Sequence, residues 1–352
     1  NCQNCHGSQI TLQYDEKAAA YQTRFETLRI NCESCHGPGR RHLEIVGRPG
    51  WETRADLGLA ALATLNKQES IEVCHRCHAT KDALRDDPYL PGMRFEDYFS
   101  LKLGLLLESP YHADGRIRSF GYQANHEFSD CYLNGSMTCV DCHDPHAQGY
   151  RDAFGRALPG RFDNGQCTGC HASKELAPEA HSHHQAGSAG NQCVACHMPY
   201  LQHQGIGRHL VFTRSDHTIP IPRPAFDQGL GIENACQKCH ADQDLAWQQG
   251  HVDRWYGQVK PHPPLVSALA RARAGQAMPR TPGEAAVAWL DPDARHPMAQ
   301  AAGLAEFLER FLVPAMPERD PEVIRRLQRL ADSPDPRSEE HTSELQSPYV
   351  IS

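Results

Sequence analysis

Apolar residues repeat with a helical period only in the last third of the chain. Four segments there combine this period with Pro and Asp-Pro turns, and they cover residues 265–274, 283–290, 298–312 and 321–331. In the third segment a spacing of about 3.6 residues relates Ala302, Leu304, Phe307, Leu308, Phe311 and Leu312. The pattern predicts paired α-helices resembling a HEAT-like solenoid, with a simple helical cap as the alternative.

The preceding residues show no sustained period and are divided by Gly and Pro turns, such as Gly37-Pro38-Gly39 and Pro159-Gly160. The sequence predicts short helices at 55–69 and 101–107 and otherwise little regular secondary structure. The fold class is therefore mainly α. No stretch approaches the roughly 18 consecutive apolar residues that a membrane-spanning helix needs.

The charge balance is mildly acidic, with 35 Lys and Arg against 43 Asp and Glu and a formal net charge of −8. A net-acidic chain disfavours nucleic-acid binding. Against this ordinary background the chain has 15 cysteines and 22 histidines in 352 residues. Packing does not require so many of either, so the surplus points to coordination chemistry.

Fourteen of the 15 cysteines fall in seven copies of one motif, in which two residues separate two cysteines and a histidine follows at once. This is the attachment pattern of c-type haem. The two thiols reach two vinyl groups at one edge of the porphyrin, and the histidine then lies under the iron as its proximal ligand. The haem-attaching cysteines are Cys2, Cys5, Cys32, Cys35, Cys74, Cys77, Cys139, Cys142, Cys167, Cys170, Cys193, Cys196, Cys236 and Cys239. The proximal histidines are His6, His36, His78, His143, His171, His197 and His240.

Three other uses of paired cysteines explain this pattern less well. Zinc ribbons need two pairs for each metal, whereas seven is odd, and they have no use for a histidine after every pair. Disulfides between cysteines this close in sequence mostly cannot cross-link separate parts of a fold, and they leave the histidine unexplained. A thioredoxin-like site has one pair beside a βαβ pattern, which this sequence lacks. The sequence therefore predicts seven covalently bound haem c groups.

The motifs follow one another closely, with 26 to 65 residues from the start of one to the start of the next. That is too little chain to build a separate pocket for each haem, so we expect the haems to pack against one another. Residues 1–258 are predicted to form a heptahaem cytochrome c domain, and residues 259–336 an α-helical, HEAT-like repeat fragment.

Each iron has a second axial position, for which the haem region offers twelve further histidines. A second imidazole gives a six-coordinate, low-potential haem that only passes electrons, whereas an open face admits substrate. The first candidates lie on Pro- or Gly-bearing turns close to a motif and are His42, His146 and His217. The next are His112, His126 and one of His181, His183 and His184. His75, His203, His209 and His251 follow.

Other residues have less specific roles. For Cys131, outside the motifs, we expect a small buried side chain, with a haem or metal contact as the alternative. Haem propionates add acidic groups, and the arginine guanidinium is well suited to pair with a carboxylate. The candidate partners are Arg40, Arg41, Arg208, Arg214 and Arg223. For each of them the alternative is a solvated surface role. Met93, Met137 and Met198 are expected to pack rather than to bind iron.

Both ends of the sequence are unusual. The chain opens at Asn1 with a haem motif already under way and no signal peptide, which indicates a truncated N-terminus. Residues 337–352 resemble the translation of a sequencing adaptor, and we expect them to be a non-native tail. Because c-type haem is attached after export, the expected location is periplasmic or otherwise extracytoplasmic.

Several stretches occur in the order found in a widespread family of bacterial multihaem cytochromes c, which this sequence resembles over residues 1–335. They are NCQNCHGSQ, NCESCHGPGRRH, YHADGRI, GSMTCVDCHDPHA, HHQAGSAGNQCVACHMPY and RSDHTIPIPRPAF. The resemblance implies HEAT or tetratricopeptide repeats after the haem domain and a further haem motif before Cys2. It places distal ligands at His42, His112, His146, His183 or His184, and His217. The stretch NHEFSDCYLNG, with His126 and Cys131, departs from the family.

Closely spaced haems pass electrons by tunnelling, so we expect an extracytoplasmic electron-transfer protein. It would connect a quinol-linked or soluble donor to a terminal reductase or an external acceptor, with the helical segment as a docking surface. The alternative is a multihaem reductase of the nitrite, hydroxylamine or tetrathionate type, in which one haem has an open face. We therefore expect an electron carrier in preference to an enzyme; as an enzyme, it would be a multihaem oxidoreductase.

Overall fold

The computed structural model describes residues 3–11, 13–85, 87–101, 111–118, 122–200, 215–294, 297–311 and 320–333. Helices predominate over these residues, and each strand is only two or three residues long. The mainly α fold class is therefore confirmed. No helix among the described residues is long and apolar enough to cross a membrane.

The chain divides into two compact units. The N-terminal unit comprises the described residues of Asn1–Leu101 and Met137–Cys139, and the C-terminal unit those of Lys102–Ser136 and Val140–Ser352. Helices of the N-terminal unit are α1 (Gln3–His6), α2 (Glu33–His36), α3 (Arg40–Val46) and α4 (Lys67–His78). Its strands form two antiparallel pairs, β1 (Tyr14–Asp15) with β2 (Ala20–Tyr21) and β3 (Lys81–Ala83) with β4 (Phe99–Leu101).

The predicted helix at 55–69 is wrong. This segment contains turns and a short 3₁₀ helix, Leu62–Thr64, and α4 begins only at Lys67. The reason is a capping box: the Asn66 side chain accepts a hydrogen bond from the Glu69 backbone N–H at 2.9 Å, and the Glu69 carboxylate accepts one from the Asn66 N–H at 3.0 Å. The predicted helix at 101–107 lies outside the described residues except for Leu101, which belongs to β4.

The C-terminal unit contains most of the helices and one three-stranded antiparallel sheet. The sheet has the order β5 (His143–Asp144), β6 (Gly149–Arg151) and β7 (Ala157–Leu158). The helices are α5 (Asp130–Leu133), α6 (Gly165–Thr168), α7 (Pro178–Ser182), α8 (Cys193–His197), α9 (Pro224–Gly229), α10 (Leu245–Tyr256), α11 (Pro264–Arg273), α12 (Pro282–Trp289), α13 (Pro297–Phe311) and α14 (Pro321–Ala331).

The last four helices, α11 to α14, confirm the four predicted from periodicity, each within one residue at either end. Proline begins all four, where its missing N–H breaks no helical hydrogen bond. Thr281 and Asp320 cap α12 and α14 by accepting backbone N–H groups of the first turn. The apolar faces of α11 to α14 form the main core of this unit, which includes Leu265, Leu269, Trp289, Leu290 and Phe307. Whether this bundle continues as a HEAT-like solenoid stays a prediction.

A buried ionic cluster attaches the turn at 111–118 to this helical core. Arg116 donates from Nε to Asp114 at 2.7 Å and from Nη2 to Asp227 of α9 at 2.6 Å, and all three side chains are almost fully buried. Ala113 packs in the core itself. The cluster thereby fixes the position of His112, whose backbone N–H donates to the Arg116 carbonyl at 2.7 Å.

Candidate haem-binding sites

The attachment motifs differ in local structure: residues 193–197 form the short helix α8, residues 74–78 end the longer α4, and His143 of the fourth motif lies in β5. In three of them a backbone hydrogen bond joins the first cysteine to the histidine four residues on: His36 to Cys32 at 2.9 Å, His171 to Cys167 at 2.9 Å, and His240 to Cys236 at 2.8 Å. Residues i, i+3 and i+4 lie on one face of such a turn. Both thiols and the imidazole therefore point to the same side, as attachment of one porphyrin requires. Cys2 lies outside the described residues, as do His203, His209, Arg208 and Arg214.

The described cysteines form no disulfide. Burial raises the pKa of the Cys142 and Cys196 thiols to about 11, so neither thiol is poised as a thiolate at neutral pH. Within the described residues, no group of three or more His, Cys, Asp or Glu side chains is placed to hold a metal ion. The thiols of Cys167 and Cys193 lie within hydrogen-bonding reach of each other, so two successive motifs are close in space.

Several histidines have one ring nitrogen anchored to a backbone carbonyl. The Nδ1 atom is the anchored one at His36 (2.6 Å from Ala60 O), His42 (2.9 Å from Leu57 O), His184 (2.6 Å from Ser182 O), His197 (3.0 Å from Pro220 O) and His217 (3.0 Å from Ser215 O). A carbonyl oxygen can only accept, so Nδ1 carries the hydrogen and Nε2 has the lone pair. This is the usual arrangement of a metal-binding imidazole.

Three motif histidines each face a second imidazole. The ring centroids are 6.4 Å apart for His143 and His217, 6.1 Å for His197 and His181, and 6.1 Å for His240 and His184. With about 2 Å for each metal–nitrogen bond and about 1 Å from nitrogen to ring centroid, two imidazoles on opposite sides of one iron have centroids about 6 Å apart. The residues present therefore fit a six-coordinate haem iron between each pair.

The protonation states of the buried histidines suit coordination. Burial lowers the pKa of His112 to about 4 and lowers the pKa of His181 and of His197. These imidazoles are neutral at physiological pH, which is the form that binds a metal.

The remaining distal candidates have other surroundings. His183 stacks on Trp255, with centroids 4.6 Å apart and an interplanar angle of 13°. His126 is buried edge-on against Tyr132 at 5.3 Å, and His146 is exposed on the turn after β5. His75 is buried in α4, with its ring 6.3 Å from that of Phe95.

His251 and Cys131 are also described. The His251 ring lies between Trp247, at 4.1 Å, and Trp255, at 5.0 Å, along α10. Cys131 is half-buried, and burial raises the pKa of its thiol.

The described arginine candidates for haem propionates have protein partners. Arg223 donates to the Lys260 carbonyl at 3.0 Å and to the Ile221 carbonyl at 3.2 Å, and so ties the chain before α9 to the chain before α11. Arg41 pairs with Asp56 at 2.5 Å on the surface, and Arg40 lies 3.4 Å from Glu44. Arg40 and Arg41 thus have the exposed setting of the surface alternative, whereas Arg223 joins two backbone segments, a role that the sequence did not suggest.

Sequence reasoning missed the residues that support the ligand turn at 181–184. Asn191 donates from Nδ2 to Ser182 Oγ at 2.9 Å, and a Cβ on Gly190 would overlap the His184 ring. Asn164 in turn donates to the Asn191 carbonyl at 3.0 Å. Gly190 and Asn191 stand in the quoted stretch HHQAGSAGNQCVACHMPY, which offered a signal, whereas Asn164 is far from it in sequence.

No family model and no curated protein matches the chain. One solved structure does, the crystal structure of the outer cell wall cytochrome OcwA, with a TM-score of 0.47 and 17% sequence identity. The match covers 97% of this chain and 75% of that chain. A similarity of this size is too loose to transfer any residue role.

Proposed function

We propose that this chain is an extracytoplasmic multihaem c-type cytochrome that transfers electrons between redox partners through closely packed haems ligated by two histidines. The observation that carries the proposal is the facing of motif and distal imidazoles at 6.1 to 6.4 Å in three independent pairs. Bound haem c supplies the redox chemistry, since its iron gains and loses one electron. The chain's own residues set the spacing, ligation and solvent access on which the potentials depend.

The three pairs support distal ligands for the fourth, sixth and seventh motifs. His217 would complete the iron of His143, His181 that of His197, and His184 that of His240. For the irons held by His6, His36, His78 and His171, the proposed distal ligands remain His42, His112, His126, His146 and His183.

Two of these proposed sites would be neighbours. His181 and His184 are three residues apart in the chain, so their backbones can be separated by no more than about 11 Å. Two irons whose ligands leave the chain so close together are neighbours, which favours fast tunnelling between them. With imidazoles on both faces, these two irons offer substrate no open position, which favours a carrier over a reductase.

The proposal extends to the rest of the chain. Residues 1–258 would form the heptahaem domain, and residues 259–336 a HEAT-like fragment that docks a redox partner, while residues 337–352 would be the non-native tail. The donor would be quinol-linked or soluble, and the acceptor a terminal reductase or an external oxidant. The location would be periplasmic or further outside the cell.

Intact-mass spectrometry and electron paramagnetic resonance test the proposal. We expect protein matured in a host that attaches c-type haem to carry the added mass of seven haems, with ferric signals that are low-spin for the three paired sites. Protein that matures with no porphyrin mass, or with zinc bound to these thiols, would overturn it. A large high-spin component that shifts when nitrite or hydroxylamine is added would favour the reductase instead.

A further inference from the structure

The turn that carries His181 and His184 changes direction between them. Helix α7 ends at Ser182, and His183 adopts a left-handed conformation, with φ of 55°. In a continuous helix, residues 181 and 184 would share one face. The left-handed residue breaks that geometry, so that one imidazole faces His197 and the other faces His240. Non-glycine residues adopt this conformation uncommonly, and it persists where the surrounding contacts favour it.

The C-terminal end of α10 supplies such surroundings on one side of the turn. The Trp255 ring stacks on His183 at 4.6 Å and meets the His184 ring edge-on, at 6.2 Å and 73°. Tyr256 donates from its hydroxyl to the His181 carbonyl at 2.5 Å, and its ring lies 5.6 Å from the His181 ring. Two adjacent residues of α10 thus contact all three histidines of the turn.

Asparagine side chains hold the opposite side of the turn. Asn191 donates to Ser182 Oγ at 2.9 Å and to the His184 carbonyl at 3.4 Å. Asn164 accepts from the backbone N–H of Cys193 at 2.8 Å and donates to the Asn191 carbonyl at 3.0 Å. Hydrogen bonds from the two asparagines therefore connect the turn to the start of the sixth attachment motif, and contacts with Trp255 and Tyr256 connect it to α10.

We propose that Trp255 and Tyr256 are positioning residues that orient His181 and His184 together, so that the end of α10 sets the axial ligation of two neighbouring haems at once. The inference rests on the proposed ligation by His181 and His184. Its consequence is distinctive, because loosening one side chain of α10 disturbs two irons, whereas loss of a ligand disturbs one. Neither Trp255 nor Tyr256 binds iron in this scheme.

The test compares substitutions at the end of α10 in the mature, haem-loaded protein. Tyr256→Ala removes the ring and the hydroxyl, Tyr256→Phe removes only the hydrogen bond to the His181 carbonyl, and Trp255→Ala removes the stack on His183. Arg254→Ala, on the exposed face of the same helix, is the matched control. Spin state and redox titration are measured for each, with haem-to-protein ratio and circular dichroism to establish that the protein is intact.

We expect Tyr256→Ala and Trp255→Ala to produce a high-spin ferric signal and to raise the midpoint potentials of two haems, because a loosened imidazole stabilises ferric iron less. Tyr256→Phe should give a smaller shift in the same direction, and Arg254→Ala none. If the alanine variants do not take up haem, Tyr256→Phe and Trp255→Phe, which keep a ring in place, carry the test. Variants that all match the wild-type spectra and potentials would overturn the inference.

Two ligand substitutions separate this inference from the proposed function. His181→Ala and His184→Ala should each convert a single, different iron to the high-spin form. If both do so while the Trp255 and Tyr256 variants are silent, the ligation stands and the positioning role falls. If neither does so, the ligation itself is wrong.

Discussion

The buried Arg116 cluster gives the sharpest stability prediction. Arg116 is 3% exposed and forms charge-assisted hydrogen bonds with Asp114 at 2.7 Å and Asp227 at 2.6 Å. Burial alone would raise the pKa of the Asp114 carboxyl, but Arg116, with smaller contributions from His262 and His112, outweighs burial and holds that pKa below its usual range. For Asp227, burial outweighs Arg116 and the pKa is raised. Replacing Arg116 by methionine therefore leaves two buried carboxyl groups without their cation.

Removing one member of a buried ionic group lowers the free energy of unfolding by about 3–5 kcal/mol. That is a large part of the roughly 5–15 kcal/mol by which a typical domain is stable. With a urea dependence of about 1–3 kcal/mol per molar, the unfolding midpoint should fall by about 1 M or more. Arg116→Lys should fall between wild type and Arg116→Met, because a lysine ammonium cannot reproduce the guanidinium fork that reaches both carboxylates.

Urea unfolding of the haem-loaded protein, followed by far-ultraviolet circular dichroism, measures this shift in the helical C-terminal unit. The control is Arg325→Met, which breaks an exposed pair with Glu322 within α14 and should lower the free energy of unfolding far less, because solvent screens surface pairs. An Arg116→Met midpoint no lower than that of the control would refute the reasoning, since the cluster would then contribute no more than a surface pair.

Two other predictions concern a carboxylate and a glycine. Although burial raises the pKa of the Glu306 carboxyl, hydrogen bonds from Arg310 and Arg273 outweigh burial and hold that pKa below its usual value. The resulting stability is present above the ordinary carboxyl pKa and is lost as the pH falls through the lowered value. Glu306→Gln should therefore lower the free energy of unfolding at neutral pH by about 1.5–3 kcal/mol. The free energy of unfolding of this variant should also decline less steeply in acid than that of the wild type. A variant with the same acid dependence as the wild type would contradict this. Gly190→Ala should displace the His184 ring, which a Cβ would overlap, and convert one iron to the high-spin form in paramagnetic resonance spectra, whereas an unchanged spectrum would show that the ring has room.

Local features of the fold followed in part from the sequence, and one error shows why. The four helices of the last third were predictable because an apolar period and a proline at the first position coincide in each, and a side-chain cap adds to them in α12 and α14. The segment 55–69 lacks proline and contains many alanines and leucines, yet α4 begins only near its end, at Lys67. The hydrogen-bonded box of Asn66 and Glu69 starts α4 at Lys67, and composition alone did not weigh that signal.

The proposed distal positions, in contrast, depend on contacts between distant parts of the chain. The sequence offered His181, His183 and His184 as alternatives, and the structure brings both His181 and His184 to motif histidines while His183 lies against Trp255. The left-handed backbone at His183 separates the two imidazoles, and no residue type at that position foretells it.

Attachment of haem is a local property, because two thiols and an imidazole on one helical turn need no other part of the chain to be recognised. The sequence by itself therefore predicts the attachment sites and the proximal histidines, and it determined the mainly α class. Completion of an iron requires a second imidazole about 6 Å from the first, and His143 and His217 reach this distance only after folding. Tertiary structure decided those pairs and the supports of the ligand turn, because packing of α10 and the asparagine bridges, rather than neighbouring residues, hold each ring in place.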